Sequence, residues 1–178
     1  HGLLRRQRQM CIRDRSGLNP VTEGGVITAG NASQITDGAA AVLVCNDAGL
    51  KKIKCDPLVK VKGISVVGDD PILMLTGPIP ATKKVLNESK LNIDEIGLYE
   101  VNEAFAPVPL AWEIEVKADR SKLNVNGGAM ALGHPLGASG AKLMTTLIYE
   151  MHRRNEKYGL QAICEGGGTA NATILEKV

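Results

Sequence analysis

The sequence is poor in aromatic rings, in paired cysteines, in long apolar runs and, past its first residues, in positive charge. Tyrosine, phenylalanine and tryptophan together make up 3% of its 178 residues. A core without rings must be built from closely packed aliphatic side chains, which favours α/β layers over a β-sandwich. The four cysteines, Cys11, Cys45, Cys55 and Cys164, form no C-x-x-C pair and no metal-ligand spacing. Free thiols in a reducing compartment are expected, and with them a cytoplasmic location, no metal and no tightly bound cofactor. No apolar run is long enough to span a bilayer, and the charged residues at the start are not followed by the apolar segment of a signal peptide. Five arginines and one aspartate within residues 1–15 contribute +4 to a formal charge of +2, leaving −2 for the rest. That excludes a basic face for nucleic acid, and no aromatic platform accompanies one.

Glycine is plentiful, and it gathers where the chemistry is expected. Asn124 to Gly140 reads N-V-N-G-G-A-M-A-L-G-H-P-L-G-A-S-G. Its glycines let backbone approach a ligand closely, and His134 is its only titratable side chain. The dinucleotide fingerprint is ruled out by the spacing of glycines 133, 137 and 140. Beyond Gly140, Leu143, Leu147 and Met151 repeat at a spacing of four, widened by Met144 and Ile148. This pattern predicts an amphipathic helix, with Ser139 as N-cap and Arg153 and Arg154 at its negative end.

The remaining elements follow in order. Residues 1–15 differ in composition from the rest. They resemble translated sequencing-adapter sequence and are expected to be non-native. An apolar run from Ala39 to Val44 predicts a buried strand, and Asp47 to Ile53 a short helix. Leu58 to Val67 predicts a strand with one wetter face. A helix is expected after Pro78 and Pro80. Leu98 to Val101 predicts a strand ending at Asn102, which would cap a helix opened by N-E-A-F-A and bent or broken by Pro109. Gly159 to Ile163 predicts a strand running into C-E-G-G-G, with A-N-A-T-I-L-E returning from it.

Asn102, His134 and Cys164 each fall at a strand end or in a glycine loop, where ligand crevices form in open α/β sheets. Singly, each has an ordinary reading: a helix cap, a structural histidine, a small buried hydrophobe. Glycines clustered beside the histidine and the last cysteine add backbone N–H groups suited to a developing oxyanion.

Four stretches carry a family resemblance: A-G-N-A-S-Q-I-T-D-G-A-A-A at Ala29–Ala41, N-E-A-F-A at Asn102–Ala106, the glycine loop at Asn124–Gly140, and C-E-G-G-G at Cys164–Gly168. In this order they resemble the thiolases, the acetyl-CoA C-acyltransferases and acetyltransferases, from Ser16 to Val178. The C-E-G-G-G-T-A-N-A-T-I ending is closer to degradative members, those of fatty acid β-oxidation.

The resemblance implies an α/β half-domain, a mixed β-sheet with helices on both faces. Residues 16–75 would be the end of the N-terminal domain and 76–178 the C-terminal domain. The implied reaction is reversible cleavage of 3-oxoacyl-CoA by CoA to acyl-CoA and acetyl-CoA, with CoA as substrate. His134 would activate the nucleophilic thiol and, with a water held by Asn102, form an oxyanion hole. Cys164 would carry the proton to or from the α-carbon, and the Gly166 N–H would serve a second oxyanion hole. Ser33 would lie near the pantetheine, and Phe105 beside the acyl pocket. Cys11 does not sit in the context of the family's acylated cysteine, so this chain by itself is expected to be inactive. A homodimer or homotetramer is implied for an intact member. The alternative is a non-catalytic CoA-binding or assembly module of the same fold. A ketosynthase is disfavoured by Asn102, where those enzymes usually carry a second histidine.

Overall fold

The computed structural model describes residues 16–178, so the expectation for residues 1–15 lies outside the described residues. Among the described residues, nine α-helices and strands organise the fold. They are α1 (Asp47–Ile53), β1 (Val59–Gly68), α2 (Pro78–Ser89), β2 (Leu98–Val101), α3 (Pro107–Val116), α4 (Ala129–Leu132), α5 (Ser139–Arg154), β3 (Tyr158–Cys164) and β4 (Thr169–Lys177). Four strands form one sheet in the order β1-β4-β3-β2. β4 is antiparallel to both β1 and β3, and β2 runs parallel to β3, so the sheet is mixed as expected.

Strand alternation divides the core in two. Tyr99 and Val101 of β2, Leu160 and Ala162 of β3, and Ala170, Ala172 and Ile174 of β4 face α2 and α3. There Trp112 is fully buried, donates to the Thr82 hydroxyl at 2.8 Å, and meets Tyr99 edge-on with ring centroids 5.3 Å apart. Burial pushes the Tyr99 phenol up to about 12. On the other face, Leu98 and Leu175 pack against Leu147, Ile148 and Met151 of α5. Helices therefore cover both faces. Gly159 lets α5 approach β3, since a Cβ there would stand 2.5 Å from the Met151 sulfur.

Three expectations are corrected. Ala39–Val44 is not a strand, and Leu43 and Val44 are 77% and 75% exposed. An apolar run becomes a strand only against a partner, and none pairs with it among the described residues. Asn102 does not cap a helix. It extends the β2 ladder by donating its N–H to the Ala162 carbonyl at 3.0 Å, and α3 begins only at Pro107. That start places Pro107 and Pro109 in the first turn, where backbone N–H groups lack helical partners, so neither breaks the helix. Ser139 is the first residue of α5 rather than its N-cap, and its hydroxyl is used elsewhere.

Candidate functional site

The site lies at the carboxyl ends of the parallel pair β2 and β3. β2 ends beside Asn102, and β3 ends at Cys164, one strand over. Asn102 is 1% exposed and Cys164 8%. The Asn102 amide lies beside the Cys164 thiol and favours its thiolate, yet neither amide atom makes a well-formed hydrogen bond. Burial nevertheless pushes the thiol above its ordinary value, with its backbone and Asn102 pulling back. At neutral pH Cys164 is therefore a protonated thiol, able to give up a proton to a stronger base.

A single extended segment brings His134 to the same end. Ala32 pairs with Phe105, the Ser33 N–H donates to the Ala104 carbonyl at 3.0 Å, and the Ala106 N–H donates to the Asn31 carbonyl at 2.9 Å. Two residues on, Ile35 pairs with His134, whose N–H donates to the Gln34 carbonyl at 2.8 Å. Residues 31–35 thus lie between N-E-A-F-A and the histidine loop, joining Ser33, the Ala104–Ala106 segment and His134 through backbone pairing. α5 closes the ring. Gly140 in its first turn lies against Ile163, the residue before Cys164.

The Ser139 hydroxyl stands 2.5 Å from His134 Nδ1 and 3.1 Å from the Pro135 carbonyl. The tautomer that donates Nδ1–H to this hydroxyl, with the hydroxyl donating to the carbonyl, leaves Nε2 as the free base in the neutral ring. Partial burial, and then the nearby Lys142 ammonium, lower the imidazole below its usual value, so the neutral form prevails at pH 7. Lys142 itself donates to the carbonyls of Leu132 and Gly133, at 2.9 and 3.0 Å, and braces the loop. Gly133 and Gly137 both take positive φ, where a side chain would strain the turn.

Two site residues were not singled out from the sequence for what they do here. The buried Glu103 carboxylate accepts from Asn124 Nδ2 at 2.8 Å and from the Met130 N–H at 3.0 Å, tying N-E-A-F-A to the glycine loop. A Cβ on Gly128 would overlap that carboxylate. Asn124 also exchanges bonds with both backbone groups of Val101, at 2.8 and 2.9 Å. Both residues lie inside the quoted motifs, so their letters were visible but their contacts were not. Gly166 is exposed at the turn between β3 and β4, next to Gly167 and Gly168 in positive φ. Among the described residues, no group of three His, Cys, Asp or Glu side chains is arranged to hold a metal. A groove runs along residues 41–47, β1 and Met144 to Tyr149 of α5, and contains none of the six candidate residues.

The chain matches the family description "Thiolase, C-terminal domain" over residues 55–177 and "Thiolase, N-terminal domain" over residues 15–48. It is 53% identical over 171 residues to steroid 3-ketoacyl-CoA thiolase FadA6 of Mycobacterium tuberculosis, covering 96% of this chain and 42% of that protein. It is 44% identical over 169 residues to the human mitochondrial 3-ketoacyl-CoA thiolase, covering 94% of this chain and 43% of that protein. The structure of the human enzyme in complex with CoA superposes with a TM-score of 0.86 at 42% identity, and that of the Bacillus anthracis acetyl-CoA acetyltransferase with 0.89 at 40%. Each superposition spans 93% of this chain and 42% of the other. The chain therefore spans less than half the length of these relatives, and it belongs to the thiolase family.

Proposed function

We propose that this chain carries the proton-handling half of a thiolase-type acyltransferase centre, acting in the cleavage of 3-oxoacyl-CoA by CoA or in the reverse condensation. The observation that carries the proposal is that residues 31–35 tie the His134 loop to the Ala104–Ala106 segment, two residues past Asn102, whose amide lies beside Cys164. Carbon–carbon cleavage at a thioester requires a thiolate nucleophile, a base beside it, and donors for two successive oxyanions. His134 Nε2 is the base, free and neutral at pH 7. Asn102 holds a water with His134 as the first set of donors, which accords with its two buried and unpartnered amide atoms. Cys164 moves the proton at the α-carbon, and the exposed Gly166 N–H serves the second oxyanion. Ser33 and Phe105, joined to the same network, line the path of the pantetheine and the acyl chain. CoA is the shared substrate, and a degradative direction is favoured by the likeness to 3-ketoacyl-CoA thiolases. The nucleophilic thiol comes from the length of the relatives that this chain does not span. A cytoplasmic location and assembly as a homodimer or homotetramer complete the reading.

The test fuses the matching remainder of the Mycobacterium tuberculosis relative ahead of this chain. The fusion is expected to cleave acetoacetyl-CoA, and His134→Ala or Cys164→Ala to lower kcat by at least about 100-fold. The chain alone is expected to show no turnover above buffer. A fusion whose activity ignores both substitutions would sink the reading. CoA binding that persists without any activity in the fusion would favour the alternative of a binding module.

A further inference from the structure

One row of side chains beneath α5 is polar where a core row is ordinarily apolar. Glu100 on β2, Gln161 on β3 and Thr173 on β4 are in register across three adjacent strands, and all three are buried. Alternation puts them on the α5 face, next to the apolar row of Leu98, Gly159 and Leu175. Gln161 is fixed in orientation, because its Nε2 donates to the Gly140 carbonyl in the first turn of α5 at 3.0 Å. Its Oε1 is left buried without a partner, and so is Oε2 of the neighbouring Glu100. Turning the amide over would sacrifice the bond to Gly140.

An ionised carboxylate only accepts hydrogen bonds, and so does an amide oxygen. Two such acceptors side by side, away from water, would leave lone pairs unpaired in a medium of low dielectric. A carboxylic acid supplies the missing donor. The charges acting on Glu100 point the same way, since they are the carboxylates of Glu103 in the adjoining loop and Glu150 on α5. Arg153 and Arg154, the cations near Glu150, are bound to it. Gln161 and Thr173, the in-register residues on the adjoining strands, carry no charge. Burial and the two carboxylates push Glu100 up to about 8.

We propose that Glu100 is a positioning residue, held as the neutral acid, whose O–H donates to the Gln161 side-chain carbonyl directly or through one buried water. The bond fixes Gln161, Gln161 holds the Gly140 carbonyl, and the first turn of α5 presents Ser139 to His134 Nδ1. Ionising Glu100 removes the donor and loosens the seat of the imidazole. The consequence for His134 rests on the acyltransfer reading, whereas the protonation of Glu100 does not.

The test is NMR on the full chain labelled with 13C and 15N, titrated from about pH 5 to about pH 9 beside Glu100→Gln. One glutamate carboxyl carbon is expected to titrate near pH 8, about 3.5 units above the ordinary value of 4.5, and to be missing from the variant. The His134 ring nitrogens, already neutral at pH 7, should shift again over the same interval and stay flat in Glu100→Gln. Every glutamate carboxyl titrating below about pH 6 would overturn the proposal. So would His134 signals that pass through the Glu100 step unmoved. The carboxyl titration needs no variant, so a misfolded Glu100→Gln leaves it decisive. CoA binding is measured on the same sample: if Glu100 titrates near pH 8 but no CoA binds, the acyltransfer reading alone is damaged.

Discussion

At the scale of single residues, environment separates side chains that composition treats alike. Cys45 and Cys55 are exposed thiols, whereas Cys164 is buried with its ionisation pushed upward. Only the thiolate alkylates readily, so iodoacetamide at pH 7 should label Cys45 and Cys55 well before Cys164. Peptide mass mapping over time checks the order, and Cys164 labelling as fast as the other two would contradict it. Raising the pH should narrow the gap as the Cys164 thiolate becomes populated. His134 is the complementary case. It is kept neutral by partial burial and a nearby cation, and its Nδ1 is held against one serine hydroxyl. The sequence displayed the histidine and its glycines. It suggested Ser139 as a helix cap, because Ser at a helix start is usually one. The competing use of that hydroxyl is a contact across a turn, which spacing alone does not reveal.

At the scale of elements, helices and strands with strong periodicity were readable, and those that depend on a partner were not. The stripe of Leu143, Leu147 and Met151 fixed α5, and its core-facing side is the one that meets β2, β3 and β4. The close seat of α5 depends on Gly159. Gly159→Ala would drive a methyl against the Met151 sulfur and Leu147, and overpacking of this kind costs about 1–3 kcal/mol. Chemical denaturation should show that loss as a lower midpoint with an unchanged slope. On the other face, Trp112→Ala would remove a fully buried ring, its edge contact with Tyr99 and its bond to Thr82. A loss of about 3–5 kcal/mol is expected, read by the same denaturation experiment. α3 shows why a proline count misleads. Both prolines sit in the first turn, where the missing N–H groups and fixed φ cost little, so the break expected at Pro109 does not occur. Asn102 to Ala106 looked like a helix opening because asparagine caps helices, but the Asn102 N–H is spent on the sheet, and Ala104 and Ala106 are tied to residues 33 and 31 before the helix begins.

At the scale of the whole molecule, stability should carry the imprint of one buried acid. Glu100 in the folded chain holds its proton up to about pH 8, whereas unfolded it would release it near the ordinary value of 4.5. Between those limits the folded state binds more protons than the unfolded state, so unfolding becomes easier as pH rises. The slope from this group is about 1.4 kcal/mol per pH unit across that window, flattening above pH 8. Glu150 has the opposite sense. Its bonds to Arg153 and Arg154 hold it down at about 2, so its contribution is present above the ordinary carboxylate range and is lost as pH falls toward 2. The two windows do not overlap, and Glu100→Gln should remove the downward slope from about pH 5 to about pH 8 while leaving the acid limb intact. Thermal unfolding at a series of pH values tests this, and parallel curves for the two proteins would refute it.

Much of this protein was settled by local chemistry that the sequence displays directly. Four motifs in order identified the family, hydrophobic period marked the main helices and strands, and the scarcity of rings pointed to aliphatic α/β layers. These depend on residues close together in the chain, where spacing translates into geometry. Tertiary structure decided what depends on distant partners. It left Ala39–Val44 without a strand to pair with among the described residues, joined the Ala104–Ala106 segment and His134 through residues 31–35, and gave Glu103 its role as a tie between two loops. It also set Glu100 beside an amide oxygen already turned by Gly140. Hydrogen bonding and burial are properties of neighbours in space, and those neighbours lie up to about 120 residues away along the chain.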